Sequence, residues 1–457
     1  MKRENEFRYL KLANILREQI MSGYIKPGEY LMSENDLCRH YGISRTSVRK
    51  SLEQLQKEGL IVKKVGQGTI VNPDLVIETP QKALRIFATS PSHFFDLCMP
   101  AIIEQFQKEH PHVEVKCLNF SSGEFWDSVS ASTDLGLKPD LLFVTDRLFS
   151  ELEQTDRFLN LQQPLGETYN RMYPKLRDTF GAGSGWIAVP VTFSTVYLAY
   201  NPRLFHKYGV PEPEENWTTE QFLHAAERLT MDTNGDGIKD QYGLALSSYI
   251  SRWPVIALQN GVRFRDPDRG NIVRMLQFLH DLLYKHGVAA LSPRSALNSV
   301  AFVREKAAMV LTTSIEIAGW KNGSMAFEPK VASLPFGELK GTMLIANAFM
   351  VPADCNEPDL AIQFIRTATS PEMQETLSRS NGFISVLPQV NESVWSRSDL
   401  ESLHIHPSTI DNSCFLHEML PDIHLLDELE SEMTLFWSGL ESAEEFAGRM
   451  MQILQGS

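Results

Sequence analysis

A short basic segment near the amino terminus constrains the fold of this chain more than any other feature. Residues 33–71 read SENDLCRHYGISRTSVRKSLEQLQKEGLIVKKVGQGTIV. The pattern predicts a short helix, a tight turn at Gly42, a second helix that opens at Ser44, and a basic hairpin that turns at residues 66–68. These elements follow each other in the order of a winged helix-turn-helix.

The second predicted helix has one apolar and one polar face. Ser44 is a good N-cap, and apolar positions recur at spacings of four and three, which predicts a buried stripe of Val48, Leu52 and Leu55. Arginines occupy the first turn and the side opposite the stripe. Helices of this kind enter the major groove with their amino-terminal end, where an arginine can donate two hydrogen bonds to guanine. We therefore expect DNA binding; the alternative is a helix-turn-helix used only for packing or dimerisation.

From about residue 7 to residue 73 the chain resembles the GntR family of bacterial regulators. The match includes the turn GYIKPG, the core LMSENDLCRHYGISRTSVRKSLEQL and the wing EGLIVKKVGQGTIV. The DNA contacts expected from the helix pattern and the resemblance are Arg45, Thr46, Ser47, Arg49, Lys50, Gly66 and Gln67. Asn35 stands where the family usually has an arginine that contacts a phosphate, which puts that one contact in doubt.

The charge of the chain is divided between this segment and the remainder. Residues 1–75 hold 13 Lys/Arg against 9 Asp/Glu, and the others hold 30 against 48, within a chain of 457 residues. That length accommodates about three domain-sized units. A basic head suits the phosphates of DNA, whereas the acidic remainder would be repelled by them unless it projects away.

The sequence contains no pattern typical of export or of a membrane span. The first residues, MKRENEFRYLKL, have no apolar run behind their charges, and no run of 18 apolar residues occurs. We therefore expect a cytoplasmic protein that does not contact membranes. The five cysteines are Cys38, Cys98, Cys117, Cys355 and Cys414. Their scatter and odd number indicate reduced thiols, with neither a disulfide framework nor a zinc site.

Beyond residue 82 the pattern changes to alternating strands and helices. Apolar runs at 83–89, 113–120 and 139–145 predict strands, and the amphipathic stretch at 99–111 predicts a helix. Such alternation predicts a parallel sheet with helices on both faces. In these sheets ligands bind beyond the carboxyl ends of the strands.

This body resembles the extracellular solute-binding proteins of sugar transporters, especially the maltose-binding-like class. Shared features include VYLAYNPRLF at 196–205, NWTTEQF at 216–222, FVREKAAMVLTT at 302–313 and AIQFIRTATSPEMQETLSRSNGFISVLP at 361–388. The two resemblances together imply an α+β winged helix-turn-helix head followed by a two-lobed α/β body of the type II periplasmic-binding-protein-like fold. The expected organisation is a DNA-binding domain at 1–73, a linker at 74–82 and the two-lobed body at 83–457, with crossovers near 189–200 and 346–352.

The resemblance also implies a sugar or oligosaccharide in the cleft between the lobes. Sugar sites combine aromatic rings, which stack on the apolar faces of pyranose rings, with side chains that hydrogen-bond hydroxyl groups. The expected ring platforms are Phe193, Trp253 and Trp320, and the expected polar partners are His93, Glu124 and Asp146. The competing interpretation is that most of these aromatic residues pack in the core.

One loop of the body resembles a calcium-binding loop. The sequence DTNGDGIKD at 232–240 has oxygen-bearing side chains at positions 1, 3 and 5 and glycine at position 6, as in an EF-hand. The expected ligands are Asp232, Asn234, Asp236, the Ile238 carbonyl and Asp240. Gly243 stands at position 12 instead of the bidentate glutamate, so a turn that folds without metal is an equal alternative. Either role would be structural, and no cofactor is required.

The sequence favours a regulator over an enzyme. It contains no G-x-S-x-G elbow, Walker loop, G-x-G-x-x-G fingerprint or H-E-x-x-H helix. We expect a homodimeric, ligand-responsive repressor that binds a two-fold operator and controls genes for carbohydrate uptake or use. The alternatives are a regulator with an enzyme-derived, aminotransferase-like body, and a cytosolic sugar-binding protein without a role at DNA.

Overall fold

The structure is a computed structural model. It describes residues 2–21, 24–64, 68–75, 82–182, 185–214, 217–248, 250–292, 300–320, 325–420 and 422–456, with side chains from residue 9 onward. Gly66 and Gln67 of the expected wing tip lie outside the described residues, as do residues 76–81 of the expected linker.

The described chain alternates helices and short strands. The helices are α1 (Lys2–Met21), α2 (Glu34–Tyr41), α3 (Arg45–Lys57), α4 (His93–Glu109), α5 (Phe125–Asp134), α6 (Asp146–Ser150), α7 (Gln162–Arg171), α8 (Pro174–Thr179), α9 (Pro202–Lys207), α10 (Thr219–Arg228), α11 (Pro254–Gln259), α12 (Arg269–His280), α13 (Val300–Val303), α14 (Ser314–Trp320), α15 (Pro358–Thr369), α16 (Pro371–Asn381), α17 (Pro388–Val394), α18 (Arg397–Ser402), α19 (Pro407–Asp411), α20 (Leu416–Met419), α21 (Leu425–Glu432), α22 (Thr434–Trp437) and α23 (Ala443–Gln455). The strands are β1 (Ile61–Lys64), β2 (Gly68–Val71), β3 (Lys82–Ser90), β4 (Val113–Ser121), β5 (Leu141–Thr145), β6 (Gly181–Ala182), β7 (Gly185–Trp186), β8 (Ala188–Thr195), β9 (Tyr197–Tyr200), β10 (Tyr242–Ser247), β11 (Ala289–Ser292), β12 (Ala307–Thr312), β13 (Lys330–Ala332), β14 (Met343–Met350) and β15 (Cys414–Phe415). Of the described helices, none is long and apolar enough to cross a membrane.

Internal contacts divide the chain into two compact units. The first comprises Met1–Ser90, Gln107–Leu142 and Cys355–Ala361, and the second comprises Pro91–Phe106, Phe143–Asp354 and Ile362–Ser457. The amino-terminal head, made of α1–α3 with β1 and β2, therefore shares a unit with β3, β4 and α5. This division differs from the boundary expected at the linker, and contacts of α1 with α5 and the turn that follows it contribute to the difference.

The head has the predicted order of elements, and each boundary has a local cause. Ser33 caps α2, and Gly42 ends it with a left-handed φ of 59°. Ser44 caps α3 by accepting a backbone hydrogen bond, and the predicted apolar stripe of α3 is buried in the core of the head. The antiparallel pair of β1 and β2 supplies the hairpin. The winged helix-turn-helix prediction is therefore confirmed.

In the first unit, β3 and β4 form a parallel pair that runs from Lys82 opposite Val113 to Ser90 opposite Ser121. The two strands cover the predicted runs 83–89 and 113–120. A 3-10 turn (Ser122–Glu124) follows β4 and leads directly into α5. The carboxyl end of β4 is therefore joined to the amino end of α5.

The second unit contains a mixed sheet centred on β12. The strand β10 pairs in parallel with β11 and β12, whereas β9 pairs antiparallel with β12 and β13. Apolar side chains from this sheet and from α10, α12 and α23 form one core, which includes Phe222, Leu276 and Phe446. Within this core the carboxyl-terminal helix α23 packs on α12 and α21.

The chain crosses between two sheets of the second unit at Val196. The strand β8 pairs antiparallel with β14, whereas β9 belongs to the mixed sheet. The return lies between β13 and β14, where the Thr342 hydroxyl donates a hydrogen bond to the Val196 carbonyl. The first crossing falls within the expected range 189–200. The second precedes the expected range 346–352, because those residues are already in or just beyond β14.

Candidate functional site

The outer side of α3 carries most of the predicted DNA contacts. Arg45, Thr46, Arg49 and Lys50 have exposed side chains. They present two guanidinium groups, one ammonium and one hydroxyl on the side of α3 that does not face the core. This is the surface that a recognition helix offers to the major groove.

Ser47 is placed differently from its predicted role. Its side chain is only 3 % exposed, and its hydroxyl is hydrogen bonded to the hydroxyl of Ser44 at 3.0 Å. Its backbone N–H also donates to the Ser44 hydroxyl, at 3.2 Å. Ser47 therefore belongs to the N-terminal cap of α3, and we reassign it from DNA contact to cap.

One carboxylate accepts hydrogen bonds from both arginines of α3. Glu34, the first residue of α2, accepts hydrogen bonds from Arg45 Nε at 3.1 Å and from Arg49 Nε at 3.0 Å. Partial burial opposes ionisation of Glu34, but the bonds from Arg49 and Arg45 outweigh it and lower the pKa of the carboxyl group. Glu34 was not predicted, because its only sequence signal is an acidic residue in the first turn of α2.

The second unit contains a pocket of about 660 Å³, a volume suited to a small ligand. It is lined by Tyr197, Tyr200, Pro202, Ser314, Ile317, Ala318, Glu328, Pro329, Lys330, Val331, Asn381, Gly382, Trp395, Asp399, Ser402 and Leu403. The half-buried Trp395 has a buried indole N–H without a hydrogen-bond partner among the described residues. An aromatic ring surrounded by carboxylate, amide and hydroxyl groups is chemically suited to a sugar.

The predicted ring platforms are core residues rather than pocket residues. Trp253 and Phe193 are fully buried, and Trp320 is 6 % exposed. Trp253 packs on two aromatic rings, Phe193 on Tyr173, and Trp320 on Phe302. A ring whose faces are covered by other side chains cannot stack on a sugar, so we reassign these three residues to packing. Sequence position after a strand did not reveal which way each ring points.

The predicted polar partners are distributed over both units and do not line the pocket. His93 begins α4, and its ring lies so close to Gly319 that a side chain at position 319 would overlap it. Asp146 begins α6 and is 6 % exposed, with its Oδ1 accepting a hydrogen bond from the Ala346 N–H at 2.9 Å. Glu124 is exposed after β4 in the first unit. His93 contacts α14, the helix that also contributes Ser314, Ile317 and Ala318 to the pocket.

A buried ion pair that the sequence did not predict also involves α14. Arg252 donates to Glu316 at 2.7 Å, and their side chains are 8 % and 22 % exposed. The Thr312 hydroxyl donates to the same carboxylate at 2.6 Å. Because breaking a buried pair leaves an uncompensated charge, this cluster fixes the position of α14. It thereby fixes one wall of the pocket.

Replacing Asp146 with asparagine is expected to change how stability depends on pH. Burial raises the pKa of Asp146 to about 7, although the Ala346 N–H and nearby arginines oppose the shift. Because the folded state holds this proton more tightly than the unfolded state, wild-type stability should fall as pH rises from about 4 to 7. Between pH 5 and 8 the variant should gain roughly 2–3 kcal/mol relative to wild type. Urea unfolding of both proteins across this range measures the difference, and parallel curves would contradict the assignment.

The loop at 232–240 is arranged as a self-contained turn. Asp232 accepts backbone hydrogen bonds from Asn234, Gly235 and Gly237, and Asp236 accepts one from Ile238. Asp240 accepts hydrogen bonds from Thr233 and Lys306, which lower its pKa to about 2. Among the described residues, no three His, Cys, Asp or Glu side chains are grouped so that they could hold a metal ion. Lys306 lies 3.0 Å from Asp240 and already pairs with this one of the five expected ligands, and calcium binding by the loop stays a prediction.

We expect this loop to keep its structure without metal. Addition of a chelator, or of millimolar calcium, should leave the thermal unfolding midpoint unchanged, since a ligand raises the midpoint only by binding the native state. Differential scanning fluorimetry with both additions measures this. A calcium-dependent rise that is lost in Asp236→Ala would contradict the expectation and establish the site.

Two family models match this chain. The model described as bacterial extracellular solute-binding protein matches residues 101–402, well over half of the chain. The chain belongs to this family. The model of bacterial regulatory proteins of the gntR family matches residues 8–71, so this solute-binding protein carries a gntR-family domain near its amino terminus. Both resemblances inferred from the sequence are confirmed, and neither match is to an enzyme family.

Two curated relatives match this chain over about the length of its gntR-family domain. The uncharacterized HTH-type transcriptional regulator YurK of Bacillus subtilis is 38% identical over 63 residues, which are 14% of this chain and 26% of YurK. The mannosyl-D-glycerate transport/metabolism system repressor MngR of Escherichia coli is 38% identical over 68 residues, which are 15% of this chain and 28% of MngR. The chain thus spans about a quarter of the length of these relatives.

Solved structures match the solute-binding region. The ABC substrate-binding protein Lmo0181 of Listeria monocytogenes, determined in complex with cycloalternan, superposes with a TM-score of 0.70 at 17% identity. The match covers 82% of this chain and 99% of Lmo0181. At this identity the likeness establishes the fold of the body alone, a solute-binding-protein-like α/β body with mixed sheets, and the gntR-family model identifies the helix-turn-helix head that precedes it.

Proposed function

We propose that this protein is a DNA-binding transcriptional regulator whose solute-binding region senses a sugar or oligosaccharide and controls genes for carbohydrate uptake or use. The observation that carries the proposal is the exposed arginine pair of α3 on a gntR-family head that shares its chain with a solute-binding region. The protein would act in the cytoplasm as a homodimeric repressor on a two-fold operator.

The surface of α3 supports the DNA-binding part of the proposal. Arg45 and Arg49 bond Glu34 through Nε, so their terminal nitrogens can still donate to O6 and N7 of guanine. Lys50 and Thr46 lie on the same exposed side and suit phosphate oxygens. Glu34 keeps the two guanidinium groups close together before DNA arrives, which reduces the conformational entropy lost on binding.

The pocket of the second unit supports the sensing part. Trp395 supplies an aromatic surface, while Asn381, Ser314 and Asp399 supply polar groups around it. The pocket has the mixed aromatic and hydrogen-bonding character of a sugar site. Two similar proteins have carbohydrate connections in their names: the repressor MngR acts on mannosyl-D-glycerate transport/metabolism, and Lmo0181 was solved with cycloalternan.

The proposal is tested by selecting DNA from a random duplex pool with the full chain and then titrating the selected complex with mono- and oligosaccharides. We expect one enriched two-fold sequence, and one carbohydrate class that changes its affinity by about 5- to 150-fold, the range of ordinary allosteric coupling. The absence of any enriched sequence would contradict the DNA-binding part. Enrichment without a response to any sugar would contradict the sensing part.

Replacing Trp395 with alanine is expected to weaken binding of the effective sugar by about tenfold or more, because the ring is lost as a stacking surface. Isothermal titration calorimetry measures the affinity. Trp186→Ala is the matched control, since Trp186 is another half-buried tryptophan of the second unit and stacks on Tyr169 instead of lining the pocket. Equal losses of sugar affinity in the two variants would show that Trp395 is not part of the sugar site.

A further inference from the structure

Helix α1 has two buried stripes. Leu12, Leu16 and Ile20 belong to the core of the head. A second stripe, displaced around the helix, contains Lys11, Ile15, Glu18 and Gln19, at spacings of four, three and one. Ile15 is 3 % exposed and Gln19 is 4 % exposed. A helix that served the head alone would need only the first stripe, so the second stripe serves another contact.

Polar bonds join this second stripe to the solute-binding region within the first unit. The Gln19 amide donates to the Leu135 carbonyl at 2.9 Å in a buried position. The Lys11 ammonium donates to the Ser128 hydroxyl at 2.8 Å and lies 5.1 Å from the centre of the Phe120 ring. These bonds attach α1 to β4, to α5 and to the turn that follows α5.

An ion pair and a close approach extend the same interface. Lys116 on β4 lies 3.5 Å from Glu18, and the two side chains are only 15 % and 18 % exposed. At Gly136 a β-carbon would overlap the ring of Tyr24, and the φ of +80° also favours glycine there. Partly buried charges are costly unless paired, so the contact between Glu18 and Lys116 specifies how α1 lies on β4.

Helix α5 links this interface to the carboxyl end of β4. It begins directly after the turn at Ser122–Glu124. Ligands of parallel sheets generally bind beyond such strand ends, and none of residues 121–124 lines the pocket described above. Ser128, near the middle of α5, accepts a hydrogen bond from Lys11. Leu135, just beyond the end of α5, accepts one from Gln19 through its carbonyl. A displacement of residues 121–124 would therefore move the surface on which α1 rests.

From these contacts we infer that α1 is shared between the head and the solute-binding region, and that α5 sets the orientation of the head on DNA. The inference rests on the proposed function, because the orientation of the head matters only where the head binds an operator. It is a coupling between two sites through one contiguous set of contacts, and the coupling is reciprocal. DNA on the head should consequently alter residues 121–134.

The charge reversal Lys116→Glu tests the attachment of α1, because it replaces the ammonium group that pairs with both Glu18 and Glu114 by a third carboxylate. Amide hydrogen exchange of the full chain should become at least about tenfold faster at residues 128–136, since local opening would no longer be opposed by the pair. The double reversal Glu18→Lys with Lys116→Glu should restore most of the protection. Unchanged exchange in the single variant overturns the attachment.

The control variant is Arg397→Glu, which reverses the same charge at a side chain 89% exposed in the second unit. It should leave exchange at 128–136 unchanged. Exchange in β3 reports whether the first unit of each variant remains folded, and Gln19→Ala provides a milder change if Lys116→Glu loses that protection. Gln19→Ala should then raise exchange at 128–136 without affecting β3, and no rise overturns the attachment.

The selected operator duplex tests the route through α5. Binding to wild type should change exchange at 121–134, and the change should disappear in Lys116→Glu while DNA is still bound. An operator that binds wild type without altering 121–134 overturns the route. A chain that binds no DNA at all contradicts the proposed function instead, and the exchange comparison without DNA still decides whether α1 is attached.

Discussion

Replacing Trp253 with alanine is expected to lower the free energy of unfolding of the second unit by about 3–5 kcal/mol, the usual cost of removing a buried tryptophan. The indole is fully buried, with ring centres of Phe264 and Trp437 at 6.1 and 6.2 Å. Its N–H has no hydrogen-bond partner among the described residues, so the loss comes from packing and the cavity left behind. Urea unfolding followed by circular dichroism measures the change.

Trp395→Ala is the informative comparison for this prediction. Trp395 is half-buried at the pocket, so its removal should cost little stability and act on sugar affinity. Trp253→Ala should instead lower stability and leave sugar affinity unchanged, when binding is measured under conditions where the variant is folded. If the Trp253 variant has normal stability and no longer binds sugar, Trp253 must be reassigned to the ligand site.

The contrast between these two tryptophans shows which parts of the solute site could be inferred from the sequence. Trp253 follows a strand closely in the chain, which places it near the expected edge of a sheet. Which side of the backbone its ring occupies depends on α11, α12 and α22 packing around it, and that is tertiary information. Trp395 lies far along the chain, and the pocket gathers residues from segments that begin near positions 197, 314, 328, 381 and 395. No local pattern joins those segments.

The head could be predicted almost completely because its determinants are local. The caps Ser33 and Ser44 and the turn at Gly42 fix the helix boundaries within a few residues of themselves. The exposed arginines followed from the helical period. Glu34 did not, because its bonds to Arg45 and Arg49 join two helices. The attachment of α1 is more remote still, since Lys11 and Ser128 are separated by 117 positions.

Replacing Arg49 with alanine is expected to reduce affinity for the selected operator by on the order of 10- to 100-fold, which corresponds to the 1–3 kcal/mol of discrimination typical of a bidentate arginine contact to guanine. Arg49 is suited to this role because its side chain is 53 % exposed and already positioned by Glu34. The loss should be confined to specific sequence: binding to unrelated duplex DNA should change far less, and the variant should accept other bases at one position of each half-site. Repeating the selection with the variant, and fluorescence anisotropy with the selected duplex, measure both effects.

Arg39→Ala supplies the matched control for Arg49→Ala. Arg39 is an 80 % exposed arginine of the same head, on α2, where it pairs with Asp36. Loss of Arg39 removes at most a phosphate contact, so all sequences should weaken alike and the salt dependence should fall by the equivalent of about one phosphate contact. If the Arg49 variant behaves in this same way, Arg49 contacts only the DNA backbone. Base recognition must then be assigned elsewhere on α3, first to Arg45. An Arg49 variant with unchanged affinity for every sequence would contradict the placement of this side of α3 in the major groove.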